Sequence, residues 1–201
     1  MLSALCSPAV AQAPAEPRYP GPAPKYEVDI EKDVMIPMKD GVKLATDIYR
    51  PRGLSGALPT ILIRLPYNKN AYRGATAYGN FFAGQGYAVA IQDVRGKFSS
   101  EGSYKVYEGD VTDWPEMFTW LSTQPWSTGK VGTIGCSYLG EGQIIAAQSH
   151  HPNHIAAIPQ AAGGNVGRVP GRRIFWGSVE GGAMALSINF GWMPMFASLD
   201  K

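Results

Sequence analysis

The chain has 201 residues and a formal net charge of +2, which is long enough for one large domain with a buried core. Its 18 basic residues nearly balance its 16 acidic ones and form no stripe with interleaved aromatic residues, so a nucleic-acid-binding surface is excluded. The two cysteines, Cys6 and Cys136, imply no disulfide framework.

The N-terminal segment is typical of an exported protein. Residues 1–11 are apolar and end in Ala9-Val10-Ala11, a small-x-small cleavage site, which predicts a clipped signal peptide and a periplasmic or secreted enzyme. An alanine-rich disordered leader is the alternative. Residues 12–25 are rich in proline and cannot pair in a sheet. From residue 25 onward no stretch is long and apolar enough to span a membrane.

The remaining pattern alternates between strands and helices, and a hairpin turn at Lys39-Asp40-Gly41 joins the first two strands. We predict strands at 26–37, 42–48, 58–65, 87–92, 131–134 and 155–158, and helices at 75–84, 111–121 and after Ser137. Asp113 and Glu116 form a possible capping pair for the second helix, with Pro115 in its first turn. This alternation predicts an α/β fold with a mostly parallel sheet and active groups at the carboxyl ends of the strands.

The hexapeptide Gly135–Gly140 is the strongest functional signal. It places Ser137 between a strand and a helix, flanked by glycines that permit a sharp turn, as in the nucleophile elbow of a serine hydrolase. The usual spacing is G-x-S-x-G, and here the second glycine falls one place later. Cys136 is an alternative nucleophile, although we expect it to be buried as a small apolar residue.

Five motifs in order resemble one family. They are Asp40–Pro51, Arg64–Lys69, Gln92–Lys97 running into Ser100–Gly102, Trp120–Ser127, and Gly132–Gly140. Together they are similar to the cocaine esterase-like hydrolases, a group that includes Xaa-Pro dipeptidyl-peptidases, glutaryl-cephalosporin acylases and α-amino acid ester hydrolases. The resemblance implies an α/β-hydrolase fold, present here as the N-terminal half of the sheet over 26–165, and a helical cap that starts within 166–201. The longer elbow is normal in this family.

The resemblance also implies roles for individual residues. Ser137 would attack an ester or amide carbonyl, and the backbone N–H of Tyr138 and the hydroxyl of Tyr67 would hold the oxyanion, without metal or cofactor. Read without the family, Tyr67 is a packed loop aromatic. Asp93 and Arg95 are interpreted as a buried ion pair that braces the loop rather than as catalytic groups. The partner would be a small-molecule ester or amide; no nucleic acid or membrane span is expected.

Pocket residues are assigned less directly. Trp126 is interpreted as a core or pocket-wall aromatic. Arg168, Arg172 and Arg173 near the start of the cap favour a neutral or carboxylate-bearing acyl group, although simple solvation of these arginines is the alternative.

The residues after Ser137 do not complete a triad in the order serine, acid, histidine. Glu141 lies one helical turn from the serine, and no histidine follows Glu180 or Asp200. The histidines of the chain are His150, His151 and His154, and of these His150 and His151 are expected at the far end of the helix from Ser137. We therefore expect the N-terminal part of a longer serine hydrolase, inactive without its remainder. The alternative is a non-catalytic fragment or interaction remnant.

Overall fold

The computed structural model describes residues 21–162 and the backbone of 167–169 and 172–174. The predicted signal peptide, the leader before residue 21 and the cap helices after 174 lie outside these described residues. The elements are β1 (Val28–Pro37), β2 (Lys43–Pro51), β3 (Leu58–Leu65), α1 (Arg73–Gly84), β4 (Ala88–Asp93), α2 (Asp110–Ser122), β5 (Ser127–Cys136), α3 (Tyr138–Ala147), β6 (His154–Gln160), β7 (Gly167–Val169) and β8 (Arg172–Ile174).

Six strands form one sheet in the order β1-β2-β4-β3-β5-β6. Strand β2 runs antiparallel to both of its neighbours, whereas β4, β3, β5 and β6 are parallel to one another. The predicted hairpin closes between β1 and β2, where the N–H of Met38 donates to the carbonyl of Val42 at 2.8 Å and Gly41 takes a φ of 87°. The predicted strands and the mostly parallel sheet are therefore confirmed.

Apolar residues of the central strands alternate between two core clusters, as the two-residue period of a strand requires. On β3, Ile61 and Ile63 pack in the cluster that contains residues of α1, whereas Leu62 packs in the cluster that contains Trp114 and Phe118 of α2. The sheet is thus covered on both faces in its centre. This explains why β3 is nearly continuous in apolar residues.

Helix α2 departs from the sequence prediction in its start and its cap. It begins at Asp110, so Pro115 lies in the second turn. The N-cap residue is Gly109, which has no side chain to cap the helix. The predicted capping pair is wrong because both carboxylates bind elsewhere. Asp113 pairs with arginines from other elements, and Glu116 accepts the backbone N–H of Lys39 at 2.7 Å.

The parallel strands direct their carboxyl ends toward one edge of the sheet. Leu65 at the end of β3 lies opposite Asp93 at the end of β4, and β5 ends at Cys136, immediately before Ser137. This edge therefore gathers the segments that carry the predicted site residues. Within residues 21–162, no helix has the length and apolarity needed to cross a bilayer.

Candidate active site

Ser137 lies at the junction of β5 and α3 in a backbone conformation that L-residues rarely adopt. Its φ is 59° and its ψ is −122°, outside the right-handed helical and extended regions. Such a conformation costs on the order of 1–3 kcal/mol and persists only where the surrounding structure enforces it. The strand thus turns abruptly into the helix and presents the half-buried serine at the tip of the turn.

The two glycines of the hexapeptide are required by close contacts. A Cβ on Gly135 would lie 2.3 Å from the Cβ of Leu139, and a Cβ on Gly140 would lie 2.7 Å from the carbonyl oxygen of Gln160. Both distances are below any normal contact for a Cβ. The glycine at 140 therefore makes room for β6, whereas the glycine at 135 makes room for the first turn of α3.

Backbone hydrogen bonds fix the turn on both sides. The N–H of Ser137 donates to the carbonyl of Gln160 at 2.9 Å, and the carbonyl of Ser137 accepts from the N–H groups of Gly140 and Glu141 at 2.8 and 2.9 Å. The amide of Tyr138 is the first of α3, where helix N–H groups and the helix dipole favour an anion. The geometry suits an oxyanion that develops beside Ser137.

Tyr67 lies close to this turn, although 70 residues separate it from Ser137. Its ring makes an edge-on contact with the ring of Tyr138 at 6.3 Å between centroids and a tilted contact with Tyr72 at 5.6 Å. Burial raises the pKa of the Tyr67 phenol above its usual value, and the proximity of Tyr72 and Glu141 raises it further. The phenol therefore stays protonated at neutral pH, as a hydrogen-bond donor must.

A buried polar network lies beneath the serine turn. The hydroxyl of Tyr138 donates to Asp110 at 2.9 Å, and Asp110 also accepts from Arg64 at 2.6 Å. Burial raises the pKa of the Asp110 carboxyl, against the opposing charge of Arg64 and the hydrogen bond from Tyr138. The network ties the residue after the nucleophile to β3 and α2.

Tyr107 and Glu141 complete the contacts around Tyr138. The rings of Tyr107 and Tyr138 stack with centroids 4.4 Å apart, and the Tyr107 hydroxyl donates to the buried Glu141 carboxylate. Glu141 is too close to Ser137 along the helix to serve as a triad acid, and the sequence did not predict a role for Tyr107 or Asp110. No local pattern signals them, because these contacts join residues 28 to 46 positions apart.

Cys136 does not occupy the position that the sequence predicted. It is exposed rather than buried, because it is the last residue of β5 and lies where the parallel strands end. The expectation that it packs as a small core residue was wrong.

The predicted Asp93–Arg95 ion pair was also wrong, because each side chain binds a different partner. Arg95 pairs with Asp113 at 2.7 Å and with Asp40 at 2.7 Å. The carboxylate of Asp93 instead accepts the backbone N–H of Lys69 at 2.8 Å. Asp93 therefore contacts the loop that carries Tyr67, and Arg95 joins the hairpin turn to α2.

Trp126 lies at the other end of β5 from Ser137. Its carbonyl accepts the N–H of Leu58 at 2.8 Å, and its ring packs against Trp120 at 6.4 Å. The ten-residue strand β5 separates Trp126 from Ser137 by about 30 Å. The structure does not bring this tryptophan to the serine.

The three histidines also lie away from the serine turn. All three follow the carboxyl end of α3, a ten-residue helix about 15 Å long, whereas Ser137 precedes its first residue. His151 contacts the Thr119 hydroxyl at 3.1 Å, and His154 contacts the Thr133 hydroxyl at 3.0 Å. Burial lowers the pKa of both imidazoles. These contacts indicate structural histidines.

The arginines near the predicted cap are described only by their backbone. Residues 167–169 and 172–174 form an antiparallel pair of strands in which Arg168 lies opposite Arg173 and Val169 lies opposite Arg172. Their side chains are outside the described residues. The prediction that they select an acyl group stays a prediction.

Comparison with known proteins agrees with the resemblance read from the sequence. Residues 40–195 match the family model of X-Pro dipeptidyl-peptidase, the S15 family. The chain is 37% identical over 172 residues to cocaine esterase from Rhodococcus sp. (strain MB1 Bresler), covering 84% of this chain and 29% of that protein. It therefore spans less than a third of that relative.

Solved structures show the same similarity. An α-amino acid ester hydrolase matches with a TM-score of 0.60 and 31% identity over 80% of this chain and 29% of that one. A CocE/NonD family hydrolase from Staphylococcus aureus matches with a TM-score of 0.62 and 27% identity over 68% of this chain and 28% of that one. The expected α/β-hydrolase fold is thus confirmed.

Proposed function

The chain belongs to the X-Pro dipeptidyl-peptidase (S15) family of hydrolases, and we propose that it provides the nucleophile and oxyanion hole of a serine hydrolase of esters or amides. The observation that carries the proposal is the backbone of Ser137, with φ at 59° and ψ at −122° between a strand and a helix. That conformation exposes a nucleophile at a helix N-terminus in enzymes of this fold.

The proposed reaction proceeds through an acyl-enzyme. The Ser137 Oγ forms a bond to the substrate carbonyl carbon as its proton passes to a general base, and the carbonyl oxygen becomes an anion. The tetrahedral intermediate then expels an alcohol or amine, which takes the proton from the base. Water gives a proton to the same base and attacks the ester on Ser137, and the acid is released as the base returns that proton to the Ser137 Oγ.

The proposed oxyanion hole has two donors, the N–H of Tyr138 and the hydroxyl of Tyr67. Their support is the position of Tyr138 as the first residue of α3 and the contact between the two rings at 6.3 Å. Each donor in such a site typically contributes about 10²–10³ in rate.

We propose that the histidine base and the triad acid come from sequence outside this chain. The placement of His150, His151 and His154 beyond the far end of α3 supports this, as does the span of 29% of cocaine esterase. A serine without a base is a weak nucleophile. We further propose a small-molecule ester or amide as substrate, because the relatives are named for such esters. A periplasmic or secreted location, based on residues 1–11, is part of the same proposal.

Labelling with a fluorophosphonate tests the nucleophile and the base separately. The purified chain is treated with and without added imidazole, which can replace a missing histidine, and the modified residue is identified by mass spectrometry. Ser137→Ala is the test variant, and Ser149→Ala, which removes a hydroxyl beyond the end of α3, is the matched control.

The outcomes distinguish the role of Ser137 as nucleophile from the proposal that the base lies outside the chain. Labelling of Ser137 only with imidazole supports both the nucleophile and the outside base. Labelling without imidazole supports the nucleophile and contradicts the outside base. No labelling of the folded chain under either condition contradicts Ser137 as nucleophile and favours the non-catalytic alternative.

A further inference from the structure

The loop that carries Tyr67 is short and is tightly folded at its centre. It connects the end of β3 at Leu65 to the start of α1 at Arg73. Asn68 takes a φ of 71°, and its carbonyl accepts the N–H groups of Ala71 and Tyr72 at 3.0 and 2.9 Å. The position of the Tyr67 hydroxyl therefore depends on how this loop is attached to the sheet.

Asp93 attaches the loop to the sheet through the backbone. It ends β4, directly opposite Leu65, and its fully buried carboxylate accepts the N–H of Lys69 at 2.8 Å. The N–H of Val94 adds a bond to the carbonyl of Leu65 at 3.0 Å. The residues on both sides of Tyr67 are thus bonded to the end of one neighbouring strand.

The side chain of Lys69 attaches the same loop to β1 and β2, the two strands that lie beyond β4 in the sheet. Its ammonium group, fully buried, contacts Asp47 of β2 at 2.9 Å and Asp33 of β1 at 2.5 Å. Asp33 lies in an irregularity of β1 with a φ of 53°, and its own N–H donates to Asp47 at 3.0 Å. Burying an ammonium requires such partners, because an unpaired buried charge is costly.

We propose that Asp93 and Lys69 are positioning residues for the proposed oxyanion donor Tyr67. Asp93 holds the backbone N–H of Lys69, which is two residues after Tyr67. The ammonium group of Lys69 holds the same residue through its contacts with Asp47 and Asp33. Neither group lies at the serine turn, so both act through the loop. This inference rests on the proposed function, in which the Tyr67 hydroxyl holds the oxyanion. An error of about 1 Å in a catalytic donor can cost about 100-fold in rate, so the attachment has a catalytic consequence.

The test measures the environment of Tyr67 without relying on turnover. The chain is labelled with 3-fluorotyrosine, and its fluorine NMR resonances are compared between variants, with Tyr67 assigned by Tyr67→Phe. Asp93→Asn keeps an acceptor oxygen, whereas Asp93→Leu has similar volume and no acceptor. Lys69→Met removes the ammonium group and keeps the length of the side chain. Leu121→Ala, a buried change in α2, is the control for general loss of stability.

The proposal expects the Tyr67 resonance to stay in place in Asp93→Asn and to shift or broaden in Asp93→Leu and Lys69→Met. Leu121→Ala should leave it unchanged. An unchanged Tyr67 resonance in folded Asp93→Leu and Lys69→Met would overturn the proposal. Absence of fluorophosphonate labelling would contradict the proposed function alone, since the NMR result does not depend on Ser137.

Hydrogen exchange in the unaltered protein covers the case in which Asp93→Leu does not fold. The Lys69 amide, bonded to buried Asp93, is compared with the amide of the exposed neighbour Asn70, bonded to the Asn68 side chain at 3.0 Å. We expect exchange at Lys69 to be slower by about 100-fold or more. Equal rates would overturn the proposal.

Discussion

The carbonyl oxygen of Gln160 lies 2.9 Å from the backbone nitrogen of Ser137 and accepts its hydrogen bond. The same oxygen is 2.7 Å from the place that a Cβ on Gly140 would occupy. The last residue of β6 therefore contacts both sides of the serine turn. Because Ser137 alone would relax from a φ of 59°, this contact is part of what holds the unusual backbone in place.

Gly140→Ala should destabilise the chain, although glycine to alanine in a helix usually stabilises. The new Cβ would approach the Gln160 carbonyl and, at 3.0 Å, the Cβ of Ala162, so α3 must move away from β6. We expect a loss of about 1–3 kcal/mol in the free energy of unfolding, measured by urea denaturation. The control is Gly132→Ala on β5, where the nearest atoms lie 3.9 Å away and the loss should be absent. Equal stability of the two variants would contradict this contact.

The clash at Gly135 should depend on one neighbouring side chain. In Gly135→Ala the Cβ would meet the Cβ of Leu139 at 2.3 Å, whereas the nearest backbone atom of Leu139 is 3.3 Å away. Leu139→Gly gives the usual G-x-S-x-G spacing and removes the Leu139 Cβ. In the Leu139→Gly background, we expect Gly135→Ala to reduce the free energy of unfolding by about 1–3 kcal/mol less than it does in the unaltered protein. A double-mutant cycle by urea denaturation measures this difference, and additive costs would show that the backbone causes the clash.

Tyr67→Phe should reduce the rate of reaction at Ser137 without reducing stability. The ring contacts are kept and only the hydroxyl is lost, so the expected effect is a fall of about 10²–10³ in the rate of fluorophosphonate labelling with added imidazole. Tyr72→Phe is the matched control, since it removes the neighbouring phenol that packs against Tyr67. Equal effects of the two variants would indicate that Tyr67 has no special role in holding the oxyanion.

The fold and the serine turn were predictable from local pattern. Alternating and continuous apolar runs marked the strands, and the hexapeptide between β5 and α3 marked the turn. The glycines at 135 and 140 carried this information, because they stand where no side chain fits. Tyr67 required the family resemblance, since nothing near it in sequence distinguishes it from a packed loop aromatic.

The partners of buried charged residues were not predictable in the same way. Asp93 and Arg95 were interpreted as an ion pair that braces the loop, yet Arg95 binds Asp40 and Asp113. In a strand, residues two apart share a face, but β4 ends at Asp93, so the strand rule no longer applies at Arg95. The exposure of Cys136 was missed for a related reason, because it also stands where a strand ends.

Asp93→Asn should become relatively more stable than the unaltered protein as pH rises. Burial raises the pKa of the Asp93 carboxyl from 3.8 to about 6, although the Lys69 amide and charge oppose the shift. The folded state therefore binds this proton more tightly than the unfolded state. The stability that it contributes is complete below pH 4 and is lost by about pH 6.

The difference in unfolding free energy between variant and parent should rise by roughly 3 kcal/mol over that interval. Urea denaturation at pH 4, 5, 6 and 7 measures it. Asp47, Lys69 and the half-buried His151 and His154 are common to both proteins, so their titration contributes little to the difference. A difference independent of pH would show that Asp93 titrates normally.

Replacing Arg64 should lower the free energy of unfolding more than most single substitutions. Its side chain is 1% exposed and donates to Asp110 at 2.6 Å, Asp113 at 3.1 Å and Gln92 at 2.7 Å. Arg64→Met would leave Asp110 buried without its cation, which typically costs about 3–5 kcal/mol. The matched control is Arg52→Met, which also removes an arginine from two carboxylates.

Arg52 is 57% exposed, so solvent screens its ion pairs and its loss should cost far less stability than the loss of Arg64. Adding Asp110→Asn to Arg64→Met should restore part of the lost stability, because the uncompensated charge is then removed. Urea denaturation of these three variants and the unaltered protein measures the differences. If the two arginine variants lost equal stability, or if Asp110→Asn lowered the stability of Arg64→Met further, the cost would lie in packing against Trp114, whose ring is 5.1 Å from the guanidinium, rather than in buried charge.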